Sequence, residues 1–149
     1  MSDLIPELSF KDIEKGDSNS INILKEALSN HGFFSITNHG LSKDLIDCCY
    51  KCSKDFFDLD FETKNTYSSV GSKGARGYTP KGIETAVGEK IADQKEFWHH
   101  GPLVDDTYDD KIPKNINIKE VEDFNKHFDA LYIELHQIGT RVLKVIALS

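Results

Sequence analysis

GFFSITNHGL, from Gly32 to Leu41, carries the pattern that decides the fold. Phe33, Phe34 and Ile36 are aromatic or β-branched, the residue types a pleated, half-buried surface accepts, and they predict a buried strand. Asn38, His39 and Gly40 are turn residues, so the strand stops at Asn38. Directly before it, Asn30-His31-Gly32 reads as a helix stop with glycine in the left-handed position. Directly after it, Ser42 is placed to cap a second helix.

Outward from this stretch, Pro6, Leu8 and Phe10 alternate with polar residues and predict a short first strand, its proline at the start where a missing N–H is tolerated. Asp17, Ser18 and Ser20 offer helix caps, and Ile21, Leu24 and Leu28 recur at helical spacing, giving a first helix with one apolar stripe. That stripe is expected against the sheet carrying Phe34 and Ile36. After Ser42, the positions Leu45, Ile46, Cys49, Cys52 or Ser53, and Phe56 predict a second helix ending near Asp58. Residues 66–77, TYSSVGSKGARG, contain Gly71, Gly74 and Gly77 and read as a mobile loop. Arg76 to Pro80 resembles a short edge strand and Glu96 to His100 a second one. Residues 105–115, DDTYDDKIPKN, form an acidic, proline-punctuated stretch expected to be solvated.

From Ile118 onward, Val121, Phe124, Phe128, Leu131, Leu135, Ile138, Val142 and Val145 are spaced three or four apart. One helix is therefore expected from about Ile118 to the end, ~45 Å long at 1.5 Å per residue. Between Val142 and Leu148 it is apolar on more than one face, which normally means burial. Such an end is what a cut through the middle of a larger domain would leave. The fold class is α+β, with strand-helix-strand-helix over 1–65, the glycine loop and first sheet strands over 66–104, and the long helix over 116–149.

The 149 residues suit one domain that buries about 68–70% of its unfolded surface. Twenty-five acidic against 18 basic residues give a net charge of -7, which repels nucleic acid and anionic membranes. The N-terminus has no basic region followed by an apolar run, and no apolar run approaches a membrane span, so the expected location is cytoplasmic. Cys48, Cys49 and Cys52 crowd one helical segment in an odd number, unlike a secreted disulfide framework.

Several residues have the letters of a chemical motif. His127-Phe128-Asp129 spells His-x-Asp, but residues two apart on a helix point about 200° from each other, so both are expected on an ordinary helix surface. Cys49 and Cys52 have the spacing of a zinc or redox pair without a second pair to complete a zinc site, and are expected to be small buried hydrophobes. His99 and His100 lie on a strand, where neighbours face opposite sides, so at most one faces any site. Lys73 among its glycines matches neither a Walker A nor a GxGxxG pattern. Arg76, beside Gly77 and Tyr78, offers a planar fork to a carboxylate, or to a surface salt-bridge partner.

Taken together, IPELSF near the start, Gly32-Phe33-Phe34 with Ile36 and Asn38-His39-Gly40-Leu41, Phe56-Phe57 with Lys64, Arg76-Gly77-Tyr78, Glu84, Asp93-x-Lys95-Glu96-x-Trp98 and Gly101 resemble a known family. It is the N-terminal region of the isopenicillin N synthase-like non-haem Fe(II)/2-oxoglutarate-dependent dioxygenases. The resemblance implies a helical and mixed region leaning on a double-stranded β-helix, a cupin-like jelly roll, whose strands carry the iron and 2-oxoglutarate ligands. This span stops before most of that jelly roll and is expected to contain none of those ligands and to be inactive alone. The resemblance also implies Fe(II) and 2-oxoglutarate as cofactors of the full-length protein and a small-molecule substrate. It places Arg76 and Tyr78 at the substrate entrance. The competing expectations are a non-catalytic module that docks a partner through its apolar helix end, and an independent thiol or metal enzyme using the cysteines or histidines.

Overall fold

The computed structural model describes residues 4–68, 75–83, 85, 87–88, 91–105 and 112–149. The chain divides into two compact units, Met1–Ser42 with Glu134–Ser149, and Lys43–Ile133.

In the first unit, β1 (Glu7–Ser9) pairs in parallel with β2 (Ser35–Thr37), Leu8 opposite Ile36. Parallel neighbours need a long crossover, and helices supply it. Phe10 is buried as its apolar character demands, but it does so from the first position of α1 (Phe10–Glu14), not from the strand. Helix α2 (Ser18–Glu26) opens on Asp17, whose carboxylate accepts the Ser20 N–H at 2.9 Å, satisfying a donor that the first turn leaves open.

The stripe expected from Ile21, Leu24 and Leu28 breaks after Leu24. Residues Ala27–His31 form a π-helical turn closed by a bond from Gly32 N to Ala27 O at 2.9 Å. The wider turn shifts the apolar period, so Ala27 is buried and Leu28 is 37% exposed. Gly32, at φ 78°, takes the left-handed position that a Cβ would disfavour. Phe33 is 56% exposed, so the buried strand is narrower than its letters suggest; Phe34 and Ile36, two apart, face the core of Leu8, Phe10, Ile13 and Leu24. Asn38 at φ 54° and Gly40 at φ 87° turn the chain, and His39 Nδ1 accepts the Leu41 N–H at 3.1 Å. Val142, Val145 and Ile146 pack on this same core, so the apolar end of the last helix is partly covered from within the chain.

In the second unit, α3 (Lys43–Phe57) buries Cys49, Cys52 and Phe56 on the expected stripe. A short α4 (Phe61–Asn65) follows, capped by Asp60, which accepts the Thr63 N–H at 2.9 Å. Strands β3 (Gly77–Thr79) and β4 (Phe97–His99) pair antiparallel, Tyr78 opposite Trp98. The core gathers Cys52, Phe56, Tyr67, Tyr78, Ile118, Val121 and Phe124, with Phe57, Leu59, Trp98, Ile116 and Phe128 against it.

Helix α5 (Phe124–Leu148) starts later than the apolar spacing predicts. Asp123 sits at φ 56°, which interrupts the helical path, and its carbonyl accepts the first helical bond from His127 N at 3.0 Å. Ile118 and Val121 are still buried, from an irregular segment pinned by Asn125: its Nδ2 donates to Ile116 O at 2.8 Å and its Oδ1 accepts Ile118 N–H at 2.9 Å. The residues 69–74 of the glycine loop, Lys73 among them, Glu84, and residues 106–111 of the acidic stretch lie outside the described residues. Among the described residues no helix is long and apolar enough to cross a membrane.

Candidate functional site

Strand alternation sorts the hairpin residues into two faces. Tyr78 and Trp98 lie on one, and continuing the alternation puts Arg76, Glu96 and His100 on the same side; Gly77, Thr79, Phe97 and His99 take the other. Tyr78 and Trp98 stand edge-on to Phe56, with ring centroids 5.9 Å and 5.1 Å away. The Phe97 and His99 rings meet on the opposite face at 4.8 Å.

Gly77 is the residue that lets this hairpin close on its neighbours. Its φ is 78°, and a Cβ there would stand 2.4 Å from the carbonyl oxygen of Tyr67 and 2.5 Å from Cδ1 of Ile116. That same Tyr67 carbonyl accepts the Tyr78 N–H at 3.1 Å, so the close approach is part of the pairing.

A polar group is built into the aromatic core. Lys64, 7% exposed, donates through Nζ to Glu96 Oε2 at 3.0 Å and to Phe57 O at 3.0 Å. Tyr78 donates its hydroxyl to the same Glu96 oxygen at 2.5 Å. Burial alone would raise the Glu96 carboxyl, but the hydrogen bonds from Tyr78 and Lys64 and the charge of Lys64 outweigh it and hold the group below its ordinary value. Burial, then the bond to Glu96 and its negative charge, push the Tyr78 phenol far above its own. A buried ammonium thus has a carboxylate, a carbonyl and the face of the Tyr78 ring, 5.7 Å to the centroid, around it.

The other end of the hairpin carries a second polar group. His100 Nε2 lies 2.7 Å from Asp129 Oδ1, and the side chain of His100 is 7% exposed. Asn115 takes both backbone groups of Gly101, accepting its N–H at 2.8 Å and donating to its carbonyl at 2.9 Å. Asn115 Nδ2 also lies 3.1 Å from His100 Nε2 and 3.4 Å from Asp129 Oδ1. The half-buried Arg76 lies against Gly101 and donates through Nη1 to Ala75 O at 2.5 Å.

Of the residues that the sequence singles out, Arg76 and Tyr78 therefore do share a face, but with different surroundings: Tyr78 is 2% exposed with its hydroxyl on Glu96, while Arg76 is half-buried with its guanidinium against Gly101. Asp129 is not the ordinary helix-surface residue expected, because α5 turns it toward His100 and Asn115. His99 and His100 part as strand neighbours must, His99 exposed and the side chain of His100 turned inward. Cys49 and Cys52 are buried, with thiols near the carbonyls of His127 at 3.5 Å and Glu122 at 3.8 Å; burial and then the neighbouring thiols push Cys49 up to about 11. Asn115 closes a stretch whose composition predicts solvation, and its polarity alone gives no sign of the Gly101 backbone it serves. Among the described residues no three His, Cys, Asp or Glu side chains are gathered to hold a metal.

A family described as "non-haem dioxygenase in morphine synthesis N-terminal" matches residues 5–128. Leucoanthocyanidin dioxygenase of Malus domestica is 28% identical over 97% of this chain and 40% of its own length. The 2-oxoglutarate-dependent dioxygenase tropC of Talaromyces stipitatus is 28% identical over 80% of this chain and 40% of its own. Among solved structures, a 2OG-Fe(II) oxygenase family protein of Caulobacter crescentus superposes with a TM-score of 0.77 at 31% identity, covering 97% of this chain and 48% of that one. The chain thus spans about two fifths of the curated relatives named here. With the family matched over residues 5–128 and the fold shared over 97% of its length, the chain belongs to the N-terminal family of the non-haem, 2-oxoglutarate-dependent dioxygenases.

Proposed function

We propose that this chain is the N-terminal part of an Fe(II)/2-oxoglutarate-dependent oxygenase that oxidises a small organic substrate with O2, acts in the cytoplasm, and is inactive as this span alone. The observation that carries the proposal is the family match over residues 5–128, in relatives of which the chain spans about two fifths. Iron and 2-oxoglutarate, when bound in the whole enzyme, supply oxygen activation; no step of that chemistry is assigned to a residue here. The 1–65, 66–104 and 116–149 segments form the scaffold on which the catalytic jelly roll leans. In the whole enzyme Arg76 and Tyr78 border the substrate entrance. Arg76 offers a planar, permanently charged fork to an anionic group of the substrate, and Tyr78, fixed by Glu96, shapes the wall beneath it.

The test is to read the coding sequence beyond the Ser149 codon and express the longest frame. Succinate release from 2-oxoglutarate, dependent on Fe(II) and a small-molecule substrate, is expected of that product and not of residues 1–149. An immediate stop with no downstream His-x-Asp coding sequence would refute it, as would succinate formed by the span alone.

A second proposal, a non-catalytic module docking a partner through the last helix, draws on Leu143 and Leu148, 67% and 90% exposed. Mass measurement in solution separates the two: a monomer at all concentrations, with no binding of an apolar dye, counts against docking.

A further inference from the structure

Gly101 lies outside the left-handed region, so backbone freedom does not call for glycine there. Space does. A Cβ on Gly101 would stand 2.1 Å from Cζ, 2.2 Å from Nη2 and 2.4 Å from Nε of Arg76. Three nearly equal distances put that carbon over the face of the guanidinium rather than beyond one edge. The bare Cα therefore serves as a platform on which the plane lies flat, and the direction of the N–H fork follows from the plane.

The platform is itself held. Asn115 grips both backbone groups of Gly101 as a neighbouring strand would, at 2.8 Å and 2.9 Å. Its amide cannot turn over without placing oxygen against the Gly101 carbonyl and nitrogen against its N–H. Asp129, 2.7 Å from His100 and 3.4 Å from Asn115, fixes the other side of the amide. Force on Arg76 is thus passed through Gly101 to Asn115 and on to the first turns of α5.

We infer that Gly101 and Asn115 are positioning residues for Arg76, setting the plane in which its guanidinium meets a carboxylate of the substrate. This rests on the proposed substrate role of Arg76. A planar fork binds a carboxylate through two parallel bonds only when the two planes coincide, so orientation governs affinity here as much as charge does.

The test uses the 149-residue chain labelled with nitrogen-15, following the Arg76 Nε–Hε signal by relaxation and during titration with glutarate, in wild type, Gly101→Ala and Asn115→Ala. In wild type the signal is expected at the order of the rigid backbone, about 0.85, and in both variants below about 0.6. Glutarate is expected to shift the wild-type signal and to bind about tenfold more weakly to each variant, the loss of one charge-assisted bond. Urea midpoints measured alongside separate this from global loosening, and if Asn115→Ala unfolds, Gly101→Ala decides by itself. An Arg76 signal as ordered in Gly101→Ala as in wild type overturns the inference. Order lost in the variants, with glutarate shifting Arg76 in none of the proteins, leaves the positioning intact and refutes the substrate role.

Discussion

Replacing Glu96 by Ala should remove the keystone of the second unit. The substitution leaves the Lys64 ammonium, 7% exposed, with Phe57 O as its remaining hydrogen-bond partner among the described residues, beside the Tyr78 and Phe57 rings, and strips the Tyr78 hydroxyl of its acceptor. Lys81, 4.0 Å from the other carboxylate oxygen and 60% exposed, adds little in wild type. Breaking a buried ion pair from one side costs about 3–5 kcal/mol. Glu96 is 19% exposed, which admits some water, so the lower end, about 3 kcal/mol, is expected. Glu96→Gln keeps an acceptor oxygen but loses the charge, and should cost about half as much. Trp98, the one tryptophan in the sequence, stands 5.1 Å from Phe56 and reports on this unit in urea unfolding. With a slope of about 1–3 kcal/mol per molar, Glu96→Ala should lower the midpoint by about 1 M or more. A double-mutant cycle with Lys64→Met assigns the cause, because partners in one network do not add. A Glu96→Ala midpoint within about 0.3 M of wild type, or strict additivity in the cycle, would refute the reasoning.

Other consequences are separately measurable. Gly77→Ala should cost about 2 kcal/mol or more, about 1–2 kcal/mol from a Cβ in the left-handed region and the rest from the Tyr67 carbonyl and Ile116; an unchanged urea midpoint would contradict this. The π-helical turn makes Ala27→Leu an overpacking change costing about 1–3 kcal/mol and Leu28→Ser nearly neutral, the reverse of what an unbroken helical stripe demands; thermal melts of the two variants decide. Stability should be flat near neutral pH and fall at both extremes. Glu96 is held below its ordinary value, so its contribution is present above the unfolded value near 4.3 and is lost as pH drops through the folded one. Cys49, raised from 9.0 to about 11, contributes below 9.0 and loses that contribution as pH climbs toward 11, with Tyr78 acting in the same direction. A urea midpoint that rises across the alkaline window would exclude this. A thiol reagent at neutral pH should modify the half-buried Cys48 at once and Cys49 and Cys52 only on unfolding; three equal rates would show the pocket to be open.

What local pattern can carry was legible in the sequence. The α3 stripe and the turn at Asn38 to Gly40 depend on residues close in the chain, and each formed where period and turn chemistry put it; β3 and β4 formed within the two stretches expected to be strands. The π-helical turn was not legible, because Leu28 fits the helical period better than Ala27 and only the closing bond to Gly32 shows which is inside. The start of α5 escaped for a similar reason: Ile118 and Val121 keep the apolar spacing while being buried by the grip of Asn125 instead of by helix. The site was half legible. Arg76 and Tyr78 are neighbours in sequence, and a strand puts them on one face. Lys64 and Glu96 are 32 residues apart, and no periodicity links a lysine to a carboxylate over that distance. Asp129 and Asn115 make the point most sharply. Each has the polarity of a solvated residue, and each is defined by what lies across from it, a histidine 29 residues earlier and a glycine backbone 14 residues earlier. Sequence reasoning assigns a polar residue to water by default because most polar residues go there. The exceptions are the ones whose partners are brought by the fold, and for Asp129 and Asn115 those partners lie at the end of the hairpin that carries Arg76.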